Sequence, residues 1–248
     1  MNTSSLIRAV VLFLLLFSLC PTQSVRSQVL QSNQVEVVEV TKSENRQGDS
    51  NNASDSKQKQ IVVMNLFYDG LDQDFLDKLM YYFGVWMQSG FNDFLLVIDS
   101  SGGDLDTGIA AYNYLSSLPI TLRTHNISQT SSAAILIYCA GDIRTASENS
   151  SFLIHDGTIN MAQNLTPLEV RSDVEHWEMK KEFSRNIFSK CTGVNDSETK
   201  SIFAAESVFD ASKARSLGLV HEVRDITSEL TGAFILPIGL ENWPRDFR

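Results

Sequence analysis

The sequence predicts a single α/β domain with a largely parallel sheet. Three observations carry this. Short runs of apolar, β-branched residues recur from residue 61 onward, bounded by Gly, Ser or Pro. Stretches with apolar residues at helical spacing lie between them. The two kinds of segment alternate up to residue 225. Strands separated by helices pair in parallel, with the helices on the sheet's faces.

The elements follow in order. IVVMNLFYDG (61–70) reads as a buried strand ending at Gly70. Phe75, Leu76, Leu79, Met80 and Phe83 mark a helix. FLLVIDS (94–100) is a strand closed by Ser101, Gly102 and Gly103, and Asp104 to Leu115 is a helix. PITLRTH (119–125) is a strand, Ser132 to Ala140 an apolar helix and FLIH (152–155) a short strand. A long helix spans about 166–190. Thr166 suits its N-cap and Pro167 its first turn. Its apolar residues Leu168, Val174, Trp177, Phe183, Ile187 and Phe188 fall mostly on one side. DASKARSLGL (210–219) is a helix ending at Gly218, and LVHEV (219–223) a final strand. Residues 226–248 read as a loosely structured tail.

The segments before the domain read differently. Residues 1–27 carry Arg8 and Arg26, no acidic residue, and an apolar run from Ala9 to Cys20. Small polar residues follow, the pattern of a secretory signal peptide. The alternative is an uncleaved membrane anchor, for which this run is short. Residues 28–60 are rich in Asn, Ser, Gln and charge, and read as a disordered polar linker. QVEVVEV within them alternates like a short strand.

Composition bounds the function. The chain has 30 acidic against 20 basic residues, a net charge of −10, which becomes −12 once residues 1–27 are removed. That balance excludes a nucleic-acid binder, which needs clustered Lys and Arg. At 43% hydrophobic the chain can fill a core, and three Cys cannot make a disulfide scaffold. Cys139 and Cys191, the two beyond the signal segment, either pack as separate thiols or form a bridge; spacing does not decide. Asn52, Asn126, Asn149, Asn164 and Asn195 each begin a glycosylation sequon, meaningful only in a eukaryotic secretory host.

Three segments carry chemistry. IDSSGGD (98–104) puts two glycines where a strand gives way to a helix, so a ligand can approach their N–H groups. In SQTSSAAILIYCAG (128–141), Ser131 and Ser132 sit where a polar turn becomes an apolar helix. His155 ends FLIH. Taken singly, a tight turn, a serine cap and a structural histidine account for the same residues. His176 lies among Glu175 and Glu178 on a solvated face, and no His pair has metal-ligand spacing.

Together these segments resemble the proteolytic subunit of Clp protease, in the Clp/crotonase superfamily. IDSSGG (98–103) stands where that family has I-N-S-P-G-G, and SQTSSAAI (128–135) where it has G-Q-A-A-S-M-G-A. SFLIH (151–155) matches R-x-M-I-H, while Thr192, Gly193 and KARSLGLVH (213–221) match a later T-G and x-A-x-x-x-G-L-V-D. The resemblance implies a repeated β-β-α spiral with a mostly parallel sheet and a long handle-type helix. It implies Ser132 as nucleophile, His155 as general base, and the N–H groups of Gly103 and Ala133 as the oxyanion hole. Ungapped from Thr192, the family's third member falls on Glu206, with Asp210 as a nearby substitute. The implied substrate is a peptide or unfolded protein, the implied assembly a homo-oligomer, with no cofactor and no metal. An exported chain would meet neither ATP nor an ATP-driven unfoldase.

Departures from the family are Ser101 for a proline, Ser128 for a glycine, Ala133-Ala134 for Met-Gly, and Asp156 for a polar amide. Two other readings stand beside the peptidase. One is a crotonase-like acyl-coenzyme A enzyme, which needs no Ser/His pair. The other is a catalytically inactive Clp-fold assembly or interaction protein.

Overall fold

The computed structural model describes residues 61–159 and 161–227, together with the backbone of Val38–Glu39 and Phe234–Ile238. The expected signal peptide, and the linker apart from that two-residue strand, lie outside the described residues. The described residues belong to one compact unit.

The elements run β1 (Val38–Glu39), β2 (Val62–Leu71), α1 (Gln73–Gln88), β3 (Asp93–Gly103), α2 (Leu105–Ser117), β4 (Thr121–Ser131) and α3 (Ala134–Cys139). Then come β5 (Ile143–Ala146), β6 (Ser151–Ile154), α4 (Pro167–Thr192), α5 (Asp196–Ala204), β7 (Ser207–Asp210), α6 (Ala211–Ser216), β8 (Glu222–Val223) and β9 (Phe234–Ile238). Among the described residues the sheet order is β1-β9-β2-β3-β4-β5-β8, with β6 on β4 and β7 on β6. Among the described residues, only the β1–β9 and β6–β7 pairs are antiparallel. The fold is the expected α/β architecture with a mostly parallel sheet and one long helix.

Polar caps set the helix starts. Asp72, Asp104, Asn195 and Asp210 each accept from the backbone N–H three residues on, at 2.7–3.0 Å. Thr166 and Glu169 form a reciprocal capping box at the head of α4, with Pro167 in its first turn. Gly193 ends α4 in the left-handed region at φ 78°.

The core lies between the sheet and the helices. Val62, Met64, Leu66, Phe94, Leu96 and Ile98 point into it from β2 and β3, and every residue of α3 is buried within it. A side chain of that size contributes about 1.5–3 kcal/mol when fully buried. Val63, Leu95 and Val97 face the other way and pack with Ile61 and Ile226. Arg144, buried, donates to the carbonyls of Cys191, Gly218 and Leu219, and so joins β5 to the ends of α4 and α6. Cys139 and Cys191 are joined as a disulfide with Cα atoms 5.5 Å apart, resolving the open choice between thiols and bridge.

Several expectations need correction. β5, α5 and β7 have no counterpart among the elements that the sequence pattern predicts. IRTA and SVFD are too short to show a period, and α5 buries only Thr199, Ile202 and Phe203. Residues 226–248 are not wholly a loose tail, because FILPI forms β9 beside β2. The final strand shrinks to two residues. Met80, Leu168, Val174 and Phe183, expected on packed faces, are exposed; on α4 only Ser184, Ile187 and Phe188 are buried. Asn126 is buried and donates to the Ser151 carbonyl, so its sequon is closed in the folded chain.

Candidate active site

Three parallel strands end side by side. β3 finishes at Gly103, β4 at Ser131 and β6 at Ile154, and β4 pairs with both β3 and β6. β4 also changes partner, from β5 at residues 123–126 to β6 at residues 129–131. In open α/β sheets such a change at the carboxyl ends of strands leaves a crevice. A cavity of about 390 Å3 opens there, lined by Gly103, Ser132, Ala133 and His155 among others. Four positions read from the sequence therefore meet in one place.

Ser132 sits just beyond β4 at φ 54°, a region that non-glycine residues seldom adopt. Its N–H donates to the Leu153 carbonyl at 2.8 Å, which ties its turn to the strand that carries His155. Ser131, by contrast, is buried and its hydroxyl accepts from Gln129. The two serines, alike in sequence, are thus separated by the fold.

The glycines have reasons that spacing did not reveal. A Cβ on Gly102, at φ 97°, would stand 2.6 Å from the Ser131 carbonyl oxygen and 2.7 Å from Ser132 Cβ. A Cβ on Gly103 would overlap the Leu71 backbone. Gly108 on α2 lies as close to Ala133, whose carbonyl oxygen a Cβ there would meet at 2.9 Å. The turn at Ser132 is therefore backed by bare backbone on two sides.

Register separates the two acidic candidates. β6 and β7 pair Ile154 with Ser207 and Ser151 with Asp210. Extended one residue, the ladder sets Glu206 opposite His155. Glu206 is exposed, with φ 49°. Asp210 is at the far end of the ladder, and its carboxylate caps α6 by accepting from the Lys213 N–H at 2.7 Å. Neither carboxylate lines the cavity. Among the described residues no hydrogen bond joins Ser132, His155 and Glu206 side chains; such contacts often tighten only around bound substrate.

The sequence reading missed the cavity's far wall. Trp177, Lys180, Lys181 and Ser184 of α4 line it, as do Asp104 and Asp106 at the head of α2. The 177/180/181/184 spacing marks one helix face, and could have been read as such. Lys180 pairs with Asp106 at 2.6 Å, joining α4 to the head of α2.

The fold and this cavity define an α/β protein with a serine and a histidine at the ends of parallel strands. A family model described as Clp protease matches residues 47–227. The chain belongs to the Clp protease family. It is 31% identical over 135 residues to the ATP-dependent Clp protease proteolytic subunit 2 of Borreliella burgdorferi, covering 54% of this chain and 67% of that protein. The same subunit of Treponema pallidum is 26% identical over 139 residues, covering 54% and 68%. The solved structure of a ClpP1 mutant from Listeria monocytogenes aligns with a TM-score of 0.59 at 16% identity, covering 66% of this chain and 91% of that one.

Proposed function

We propose that this protein is an exported, ATP-independent serine endopeptidase that cleaves peptides or unfolded proteins. The observation that carries the reading is that Ser132, His155, Gly103 and Ala133 line one cavity. In this reading Ser132 Oγ attacks the peptide carbonyl. His155 takes its proton and returns it to the leaving amine. The N–H groups of Gly103 and Ala133 face the tetrahedral oxyanion. Glu206 orients His155, a role supported by its register position. Water then releases the acyl group by the same steps.

Export is supported by the composition of residues 1–27 and by the Cys139–Cys191 disulfide, a bond that persists in oxidising compartments. Homo-oligomer formation is supported by Leu168, Val174, Met179 and Phe183, apolar and exposed on α4. An exported protein works without an ATP-driven unfoldase, so its substrates are short or already unfolded.

The test is fluorophosphonate labelling and peptide hydrolysis by the mature protein, with Ser132→Ala as control. Both signals vanish in the variant if the reading holds. Equal signals in wild type and variant, or none in wild type, refute it. The latter result favours an assembly protein of this fold, which the lack of a hydrogen bond between Ser132 and His155 would fit.

A further inference from the structure

Beside His155 lies a paired charge that the triad does not use. Arg185 Nε donates to Asp156 Oδ1 at 3.0 Å and Nη2 to Oδ2 at 2.5 Å. The pair is two-pronged and mostly covered, with side chains 15% and 22% exposed. Both properties set it apart from ordinary surface ion pairs, which hold little in place. Asp156 is the next residue after His155 and itself lines the cavity. Gly157 follows, at φ 72°, with the Trp177 ring 3.6 Å from where its Cβ would be. Trp177 and Arg185 are eight residues apart on α4, about 12 Å along the helix. The segment carrying His155 is therefore tied to α4 by this pair and runs beside Trp177. No hydrogen bond from Glu206 shares that task among the described residues.

We propose that Arg185 is a positioning residue: by gripping Asp156 it fixes the segment of His155 against α4, and so aims the imidazole at Ser132. This rests on the reading of His155 as general base. An Asp in place of the family's polar amide gives Arg185 a carboxylate to fork. It also sets a negative charge beside the base, which Arg185 balances.

The charged groups around His155 make the test specific. Its own segment supplies Asp156; α4 supplies Arg185, Lys180 and Lys181; the head of α2 supplies Asp104 and Asp106; and Glu206 stands across the β6–β7 ladder. Lys180 is paired with Asp106, and Lys181 with Glu178. Removing one member of the Asp156–Arg185 pair leaves the other's charge unbalanced next to the base. A bare carboxylate favours the imidazolium and a bare guanidinium disfavours it.

The experiment measures fluorophosphonate labelling and peptide kcat and KM of the mature protein across pH. Arg185→Gln should move the acid limb of the profile up, and Asp156→Asn should move it down. The double variant should return the limb towards wild type while the rate stays low. Arg185→Lys keeps the charge and loses the fork. Its limb should stay in place while kcat falls on the order of tenfold or more, with KM little changed. Circular dichroism checks that each variant folds, and the conservative Arg185→Lys carries the result if others do not. Limbs that coincide or move the same way, or an Arg185→Lys with wild-type kcat, overturn the proposal while leaving the peptidase reading intact. Wild-type protein that does not label at Ser132 overturns both.

Discussion

Gly102→Ala is the sharpest probe of how the site is built, because Gly90→Ala is its built-in control. The two glycines share nearly the same positive φ, 97° and 92°. Each alanine strains the chain by about 1–3 kcal/mol. Both variants should therefore melt several degrees below wild type, roughly 2–4 °C for each kcal/mol. Their surroundings differ completely. A Cβ on Gly90 meets nothing within 4 Å, while one on Gly102 stands 2.7 Å from Ser132 Cβ. Ordinary contact begins at 3.4 Å, so the turn at Ser132 must retreat by about 0.7 Å. A displacement near 1 Å at a reacting group costs on the order of 100-fold. Fluorophosphonate labelling should thus fall on the order of 100-fold in Gly102→Ala and stay within about twofold of wild type in Gly90→Ala. Matched thermal shifts with matched labelling rates in the two variants would refute the reasoning.

Two further predictions concern stability. His125 is buried, with Nδ1 2.8 Å from Thr145 Oγ1 and Nε2 3.0 Å from Ser147 Oγ. Burial, reinforced by Arg224 and opposed by Asp225, lowers its pKa from 6.5 to about 4. Its contribution is present in full above pH 6.5 and is lost as the pH falls to about 4, roughly 3 kcal/mol in all. Urea midpoints across that window should fall less steeply with acid in His125→Gln than in wild type; parallel curves would contradict this. The disulfide closes a loop with a sequence separation of 52, worth about 4 kcal/mol in the chain-entropy account. Cys191→Ser, or reduced wild type with its thiols titrated, should melt roughly 10 °C lower; an unchanged melting point would show that the bridge adds nothing.

Legibility in the sequence followed the strength of the local signal. β2, β3 and the long helix were readable because unbroken apolar runs mark the two strands, and because Thr166 and Pro167 open α4. β5 and β7, four residues each, carry no period. β9 is a short apolar run far along the chain from the strand it joins, so only tertiary pairing makes it part of the sheet. The apolar residues of α4 show that a periodic face need not be a buried one in a single chain: Leu168 remains 75% exposed.

The sequence alone determined the α/β class, the order of the chemical segments and, through resemblance, the choice of Ser132, His155, Gly103 and Ala133. These rest on local patterns and motif order, which a linear chain records directly. Only the tertiary structure decided what those residues become for one another. It set three strand ends side by side, gave Ser132 the strained φ that Ser131 lacks, and took Asp210 away to cap α6. It brought Arg185 to Asp156 from 29 residues away, and Cys191 to Cys139 from 52. Such meetings depend on packing between segments remote in sequence, and no local pattern encodes a distance across the core.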